Sequence, residues 1–264
     1  MKKLTSRTVN IKDLTDENKR DMYNVFSKYY ENVSLEVFSK DLSNKDVVFL
    51  LLDVKTLSIQ GFSTIANIYV EHGKKTVRGV FSGDTILEKE YWGDGTLGVA
   101  FLKYLFIQKM KKPFSPLYWY LISKGFKTYL LMSNNFVDHY PRYEKVTPEY
   151  EKSLINSFST EMFPNNYCEK TGVLAFSSKE GKDNLKCNVA PITNEMREKH
   201  PRIDYFVKSN PHWDMGNELC CIAKMELTIP LRYQLKTLNK LIKRNTETIL
   251  KKIETALGIL TSGR

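Results

Sequence analysis

The chain has 264 residues, 42% of them hydrophobic and 27% charged, which is apolar content enough for a globular protein with one large core or two small ones. Its net charge of +10 favours an anionic partner, whether nucleic acid, a membrane surface or a phosphorylated cofactor. No apolar run approaches the roughly 20 residues that span a bilayer, so an integral membrane protein is excluded, while peripheral association stays open. Zinc-finger spacing and single-strand RNA platform motifs are absent, and lysines are dispersed in ones and twos, which makes a nucleic-acid partner unlikely. Cys168, Cys187, Cys220 and Cys221 form no C-x-x-C pair, and the start Met1-Lys2-Lys3-Leu4 is polar, so the expectation is a cytoplasmic protein with free thiols. At least one of the adjacent Cys220 and Cys221 is expected in a buried strand. No two histidines share helical ligand spacing, and no metal site is expected.

In chain order, residues 6–12 read as extended. Thr15-Asp16-Glu17 then offers capping chemistry for a helix that buries Met22, Val25, Phe26 and Tyr29, and a second short helix runs from Ser34 to about Leu42. Three strands follow: Val47–Leu52, Ile59–Val70 and Lys75–Leu87, the last two joined by the hairpin turn Glu71-His72-Gly73-Lys74. A glycine turn, Trp92-Gly93-Asp94-Gly95-Thr96-Leu97-Gly98, opens a helix read as amphipathic through Val99, Leu102, Leu105, Phe106 and Met110. Beyond Pro113 and Pro116 the pattern predicts a short aromatic helix over Leu117–Ser123, a stop at Gly125-Phe126 and a buried strand over Thr128–Met132. Residues 146–230 have weak periodicity, with strand-like runs at 171–176 and 218–223, and read as an extension or lid packed on a core of residues 1–145. Residues 231–264 form a basic amphipathic helix, with Leu231, Leu235, Leu238 and Ile242 on one stripe.

The glycine turn is where the chemistry concentrates. A tight turn running into a helix start presents free N–H groups and the positive end of the helix dipole, which suits a phosphate or pyrophosphate. As a bare G-x-G-x-x-G pattern it matches the dinucleotide fingerprint, but that requires an acidic residue about 20 positions later. Between Gly95 and Val137 there is no Asp or Glu, and six lysines occupy the window: Lys103, Lys109, Lys111, Lys112, Lys124 and Lys127. A Walker-type loop is excluded because no Gly-Lys-Ser/Thr follows.

The order helix, helix, three antiparallel strands, glycine turn, helix, strand resembles the Gcn5-related N-acetyltransferase (GNAT) superfamily over roughly residues 6–145. The family's turn carries Gln/Arg-x-x-Gly-x-Gly/Ala. Here Gly95 alone keeps that register, and the last glycine is displaced by one. The resemblance implies an α/β (α+β) fold of the acyl-CoA N-acyltransferase type: a mixed, mainly antiparallel central sheet flanked by helices, here with a C-terminal extension ending in an amphipathic helix. It implies acyl-CoA or acetyl-CoA as cosubstrate, with an acyl carrier protein as an alternative donor and a small-molecule or peptide amine as acceptor.

Under that resemblance the pyrophosphate lies on Gly93, Asp94, Gly95, Thr96, Leu97 and Gly98, and the thioester lies along the fourth strand near Ile86 and Leu87. Asp84, Glu88 and Glu90 are candidates for the base. The leaving-group acid falls within Ser133–Tyr143, where Tyr140 and Tyr143 are both eligible and His139 can serve as acid or base near neutrality. Asn134 or Asn135 would hydrogen-bond the pantetheine arm. The nine aromatics from Phe114 to Tyr143 suit either an acyl pocket or core. The competing reading is a basic module whose 231–260 helix contacts a membrane surface or nucleic acid, with the glycine turn merely structural; a CoA-binding protein without catalysis is a third.

Overall fold

The computed structural model describes residues 3–31, 34–73, 75–175, 184–185, 191–229, 232 and 246. The chain divides into two units, Met1–Met225 and Glu226–Arg264. The expected amphipathic helix over 231–260 lies outside the described residues, Arg232 and Thr246 excepted.

Capping chemistry sets the first helices. After β1 (Leu4–Asn10), the Thr15 hydroxyl accepts the N–H of Asn18 at the start of α1 (Asp16–Phe26). Past β2 (Tyr30–Glu31), the Ser34 hydroxyl accepts the N–H of Val37 at the start of α2 (Leu35–Ser43). Next come β3 (Val47–Asp53), β4 (Ile59–His72), β5 (Lys75–Leu87) and α3 (Thr96–Lys111). The chain continues through β6 (Leu117–Ser123), α4 (Phe126–Asn135), β7 (His139–Tyr140), α5 (Glu149–Met162), β8 (Tyr167–Cys168) and β9 (Val173–Leu174). Then follow β10 (Asn184–Leu185), α6 (Asn194–Lys199), α7 (Pro201–Ser209) and β11 (Glu218–Lys224).

The main sheet has the order β1-β3-β4-β5-β6-β11-β9-β8, with β7 also paired to β11. Every adjacent pair is antiparallel except β5 and β6, which are parallel. This is the mixed, mainly antiparallel sheet that the resemblance implies. Strand alternation sorts the core into two layers. Val48, Leu50, Phe62 and Ile86 face α1 and α2, and Phe81, Tyr120, Cys220 and Ile222 cluster with Leu154, Ile155 and Phe158 of α5. On the other side Phe49 meets Phe101 and Tyr104 of α3, and Trp119 packs between Phe101 and Phe136.

Two predicted elements exchange type. Residues 117–123 are a strand, not a helix, because they lie between β5 and β11 with both faces covered; a central strand has no polar side, so its run of Leu, Tyr, Trp and Ile carries no alternation to read. Residues 126–135 are a helix, not a strand, burying Phe126, Tyr129, Met132 and Ser133 at helical spacing, and Gly125 begins this helix rather than stopping one. The helix after the glycine turn does not have the expected polar and apolar sides: Ala100, Phe101, Leu102 and Leu105 are buried, whereas Val99 and Met110 are exposed beside Lys103. Cys220 and Cys221 are both buried, on opposite faces of β11.

Glycine at position 61 is required by close packing of β4 on β5, since a Cβ there would lie 2.5 Å from the carbonyl oxygen of Ile86 and 2.9 Å from Leu87 Cδ1. Gly61→Ala is expected to cost about 1–3 kcal/mol, read as a lower urea midpoint with an unchanged slope.

Candidate active site

The parallel pair ends abruptly. β5 and β6 are in register from Arg78 opposite Leu117 to Ser82 opposite Leu121, and there the pairing stops. At the same level β5 carries a bulge: Ser63 of β4 faces Thr85 and Ile65 faces Ser82, so Gly83 and Asp84 together oppose Thr64. Beyond the bulge each strand keeps its outer neighbour, Thr85–Leu87 pairing with β4 and Ile122–Ser123 with β11. The sheet opens between them. Trp119 closes the lower edge of the opening by donating its indole N–H to Ser82 Oγ at 2.8 Å.

Both helices that follow these strands begin at this opening. Gly93 and Gly95 adopt φ +87°, a conformation strained for other residues, and Gly95 is the residue preceding α3. Space is open around both, since a Cβ on either would meet nothing within 4 Å. Asp94 Oδ1 accepts the N–H of Thr96 at 3.1 Å, which satisfies one first-turn donor; among the described residues, no acceptor meets the N–H of Leu97 or Gly98. α4 starts at Gly125 with no side-chain cap. The two starts touch through side chains: Trp92 donates its indole N–H to the Leu87 carbonyl at 2.8 Å, and Lys127 of α4 lies over the Trp92 ring, 4.5 Å from its centroid. Two helix starts and a lysine therefore meet beside the opening, groups of the kind that bind phosphate, with the carboxylates of Asp84, Glu88 and Asp94 close by.

A second set of groups gathers at the same end from the α1 side. Glu88, the residue after β5, pairs with Lys28 and accepts the Tyr29 hydroxyl at 2.8 Å, while the Lys89 N–H donates to Tyr29 Oη at 3.1 Å. Burial, then the Glu88 hydrogen bond, push the Tyr29 phenol up. At the end of β6, Lys124 Nζ is 3.6 Å from Glu218 Oε1 and 5.5 Å from the centroid of the Tyr30 ring. Glu218 is a buried carboxylate at the first position of β11. Below the glycine turn, Tyr91 donates to Asp53 Oδ2 at 2.6 Å, a bond that lowers the Asp53 carboxyl to about 2 and raises the Tyr91 phenol to about 12. It ties the loop that carries the glycines to the end of β3.

Of the expected site residues, Asp84, Ile86, Leu87 and Glu88 and the turn Gly93–Gly98 lie together at this opening. Ile86 points into the α1–α2 core, so its contribution is its backbone. The others lie elsewhere, because the segment expected to end the fifth strand is a helix. Asn134 and Asn135 sit at the far end of α4, roughly 15 Å along it from the opening; Asn134 Oδ1 accepts from Arg202, and Asn135 donates to the Leu131 carbonyl. Tyr140 is buried in the α5 core on β7, with β6 and β11 between it and β5. His139 is buried beside it, its Nδ1 2.8 Å from the Phe136 carbonyl oxygen, and its Nε2 has no partner among the described residues. Tyr143 is exposed in the turn that follows. Sequence reasoning missed Tyr29, Trp92, Lys124, Lys127 and Glu218. In the sequence Lys124 and Lys127 stand out only by their charge, and nothing local marks Glu218, 94 residues from its partner lysine.

No protein-family model matches the chain, and no curated protein matches it. Among solved structures it is similar to a probable N-acyltransferase from Enterococcus faecalis V583, with 16% identity and a TM-score of 0.38 over 49% of this chain and 32% of that one. It is also similar to a GNAT-family N-acetyltransferase from Escherichia coli in complex with CoA, with 10% identity, a TM-score of 0.34 and coverage of 47% and 64%. A Gcn5-related N-acetyltransferase from Kribbella flavida aligns with 13% identity and a TM-score of 0.36 over 52% of this chain and 34% of that one.

Burial holds the His139 imidazole below its ordinary value. The unfolded chain therefore binds the proton first, and stability is lost as the pH falls through about 6.5 toward the lower folded value. His139→Phe should flatten the stability profile between about pH 6.5 and pH 5, as measured by urea unfolding at several pH values; an unchanged slope would exclude His139 as its source.

Proposed function

We propose that the protein transfers an acyl group from acyl-CoA to an amine. The observation that carries this reading is the opening between β5 and β6 beyond Ser82 and Leu121, with two uncapped or partly capped helix starts and Lys127 at its mouth. A pyrophosphate would take the first-turn N–H groups of α3, Asp94 turning aside, and a linear pantetheine arm suits a gap between two strands that each keep an outer partner. The thioester carbonyl would then lie against the backbone of Gly83–Leu87, where an N–H released from pairing with β6 can polarise it.

The acceptor would approach from the α1 side, where Glu88 and Glu218 stand. In this reading Glu88, directly or through a water, takes the proton from the acceptor ammonium. The free amine attacks the thioester carbon, the N–C bond forms and the C–S bond breaks; the leaving thiolate takes the proton held by Glu88, and the second proton of the attacking nitrogen passes to water. Tyr29, bonded to Glu88 and to the Lys89 N–H, orients that carboxylate. Tyr140, Tyr143 and His139 take no part. Small-molecule and peptide amines both fit the reading, and acetyl and longer acyl groups are alike open to it.

Binding and chemistry are separable by measurement. Acetyl-CoA or a longer acyl-CoA at about 100 times its Kd should stabilise the protein by about 2.7 kcal/mol, seen as a raised Tm, and Gly95→Glu should abolish the rise by placing a carboxylate at the helix start. No rise with any acyl-CoA would overturn the reading. Given an acceptor, Glu88→Gln should lower kcat by about 10²–10⁴, whereas Tyr140→Phe and Tyr143→Phe should leave it within about twofold. A loss confined to Glu218→Gln would move the base to β11.

A further inference from the structure

The outer face of α3 has the makeup of a surface waiting for a partner. A helix on the surface of a globular protein normally turns a polar side to water. α3 does not: Val99 is 55% exposed, Ile107 43% and Met110 52%, at spacings of eight and three residues that keep them on one stripe with Lys103 between. The chain then runs through Lys111, Lys112 and Pro113 into Phe114, which is 99% exposed. A phenyl ring held wholly in water forgoes about 1.5–3 kcal/mol relative to burial.

The charge on this stripe has one sign. No Asp or Glu occurs from Gly95 to Val137, and among the described residues Lys103, Lys111 and Lys112 make no ion pair. A second copy of this helix is a poor occupant, since it would bring the same lysines against these. The partner must be anionic and must also accept apolar side chains. The stripe is also a single helix face that ends in a wholly exposed aromatic, Phe114. A planar anionic bilayer interface meets both conditions: apolar groups enter the headgroup boundary, and lysine stems lie along it with their ammonium groups at the phosphates.

We propose that α3 and the Lys111–Phe114 turn dock the protein on an anionic lipid surface, with Ile107, Met110 and Phe114 inserted and Lys103, Lys111 and Lys112 at the headgroups. This does not depend on the acyl-transfer reading. It also places the contact on a different segment from the basic stretch at 231–260.

The test is co-sedimentation of the full chain with phosphatidylcholine vesicles, with and without phosphatidylglycerol. Binding is expected only to the anionic vesicles, and it should weaken as salt rises. Replacing Ile107, Met110 and Phe114 by Gln, Gln and Ser should lower partitioning at least about tenfold. Lys103→Gln, Lys111→Gln and Lys112→Gln should each lower it about fivefold. These positions are exposed, so each variant should keep its Tm, and the lysine series gives an independent answer if the apolar triple variant is destabilised. The proposal is overturned if the protein sediments with neither vesicle, if all these variants bind like the parent, or if binding is lost only when Lys236, Lys240 and Lys243 are neutralised. Capture by an acidic carrier protein without vesicle binding would likewise overturn it, in favour of a protein partner.

Discussion

The two-residue bulge at Gly83–Asp84 is the constraint on which the rest of the site depends. The fit there is close: a Cβ on residue 83 would lie 2.5 Å from Thr64 Oγ1 and 3.0 Å from Lys45 Cε, so a larger residue would have to displace those side chains. The bulge ends the pairing of β5 with β6 while leaving β5 bonded to β4 and β6 bonded to β11. A sheet so pinned on both sides can only open in the middle, where β5 is no longer paired with β6.

The two ends of α3 are treated in opposite ways, and this gives the opening its polarity. At the C-terminal end the buried Arg78 guanidinium donates to the carbonyls of Gln108 at 2.9 Å and Lys112 at 3.1 Å, satisfying the negative end of the helix with a cation. At the N-terminal end the turn is exposed, glycine-rich and only partly capped by Asp94. The same helix thus has one end fixed into the core by β5 and the other open at an exposed glycine turn. Within the helix itself no carboxylate offsets Lys103, so the only charge on its exposed apolar stripe is positive.

Capping residues and turns made the first half of the chain legible. Thr15 and Ser34 start helices where their side chains predict, and Gly73 turns β4 into β5 in the left-handed region. That legibility ends at residue 117. Tyr118, Trp119 and Tyr120 form a strand with no polar face, so nothing periodic separates it from a buried helix, and the strand and helix assignments slipped by one element. That slip carried Asn134, Asn135, His139, Tyr140 and Tyr143 into a strand end that is really the far end of α4 and the β7 edge. The residues that follow the strand end are Lys124 and Lys127.

By itself the sequence determined the local devices: the caps, the hairpin, the glycine turn whose positive φ angles need glycine, and the absence of acids after it. These depend on a residue and its near neighbours, and so they are written locally. Only the tertiary structure decided which strand pairs in parallel with β5, where that pairing ends, and which carboxylates reach the opening. Glu218 arrives through β11 from nearly a hundred residues downstream of Lys124, and Tyr29 reaches Glu88 across 59 positions. Such meetings are fixed by packing of the whole sheet, for which no short stretch of sequence carries a signal.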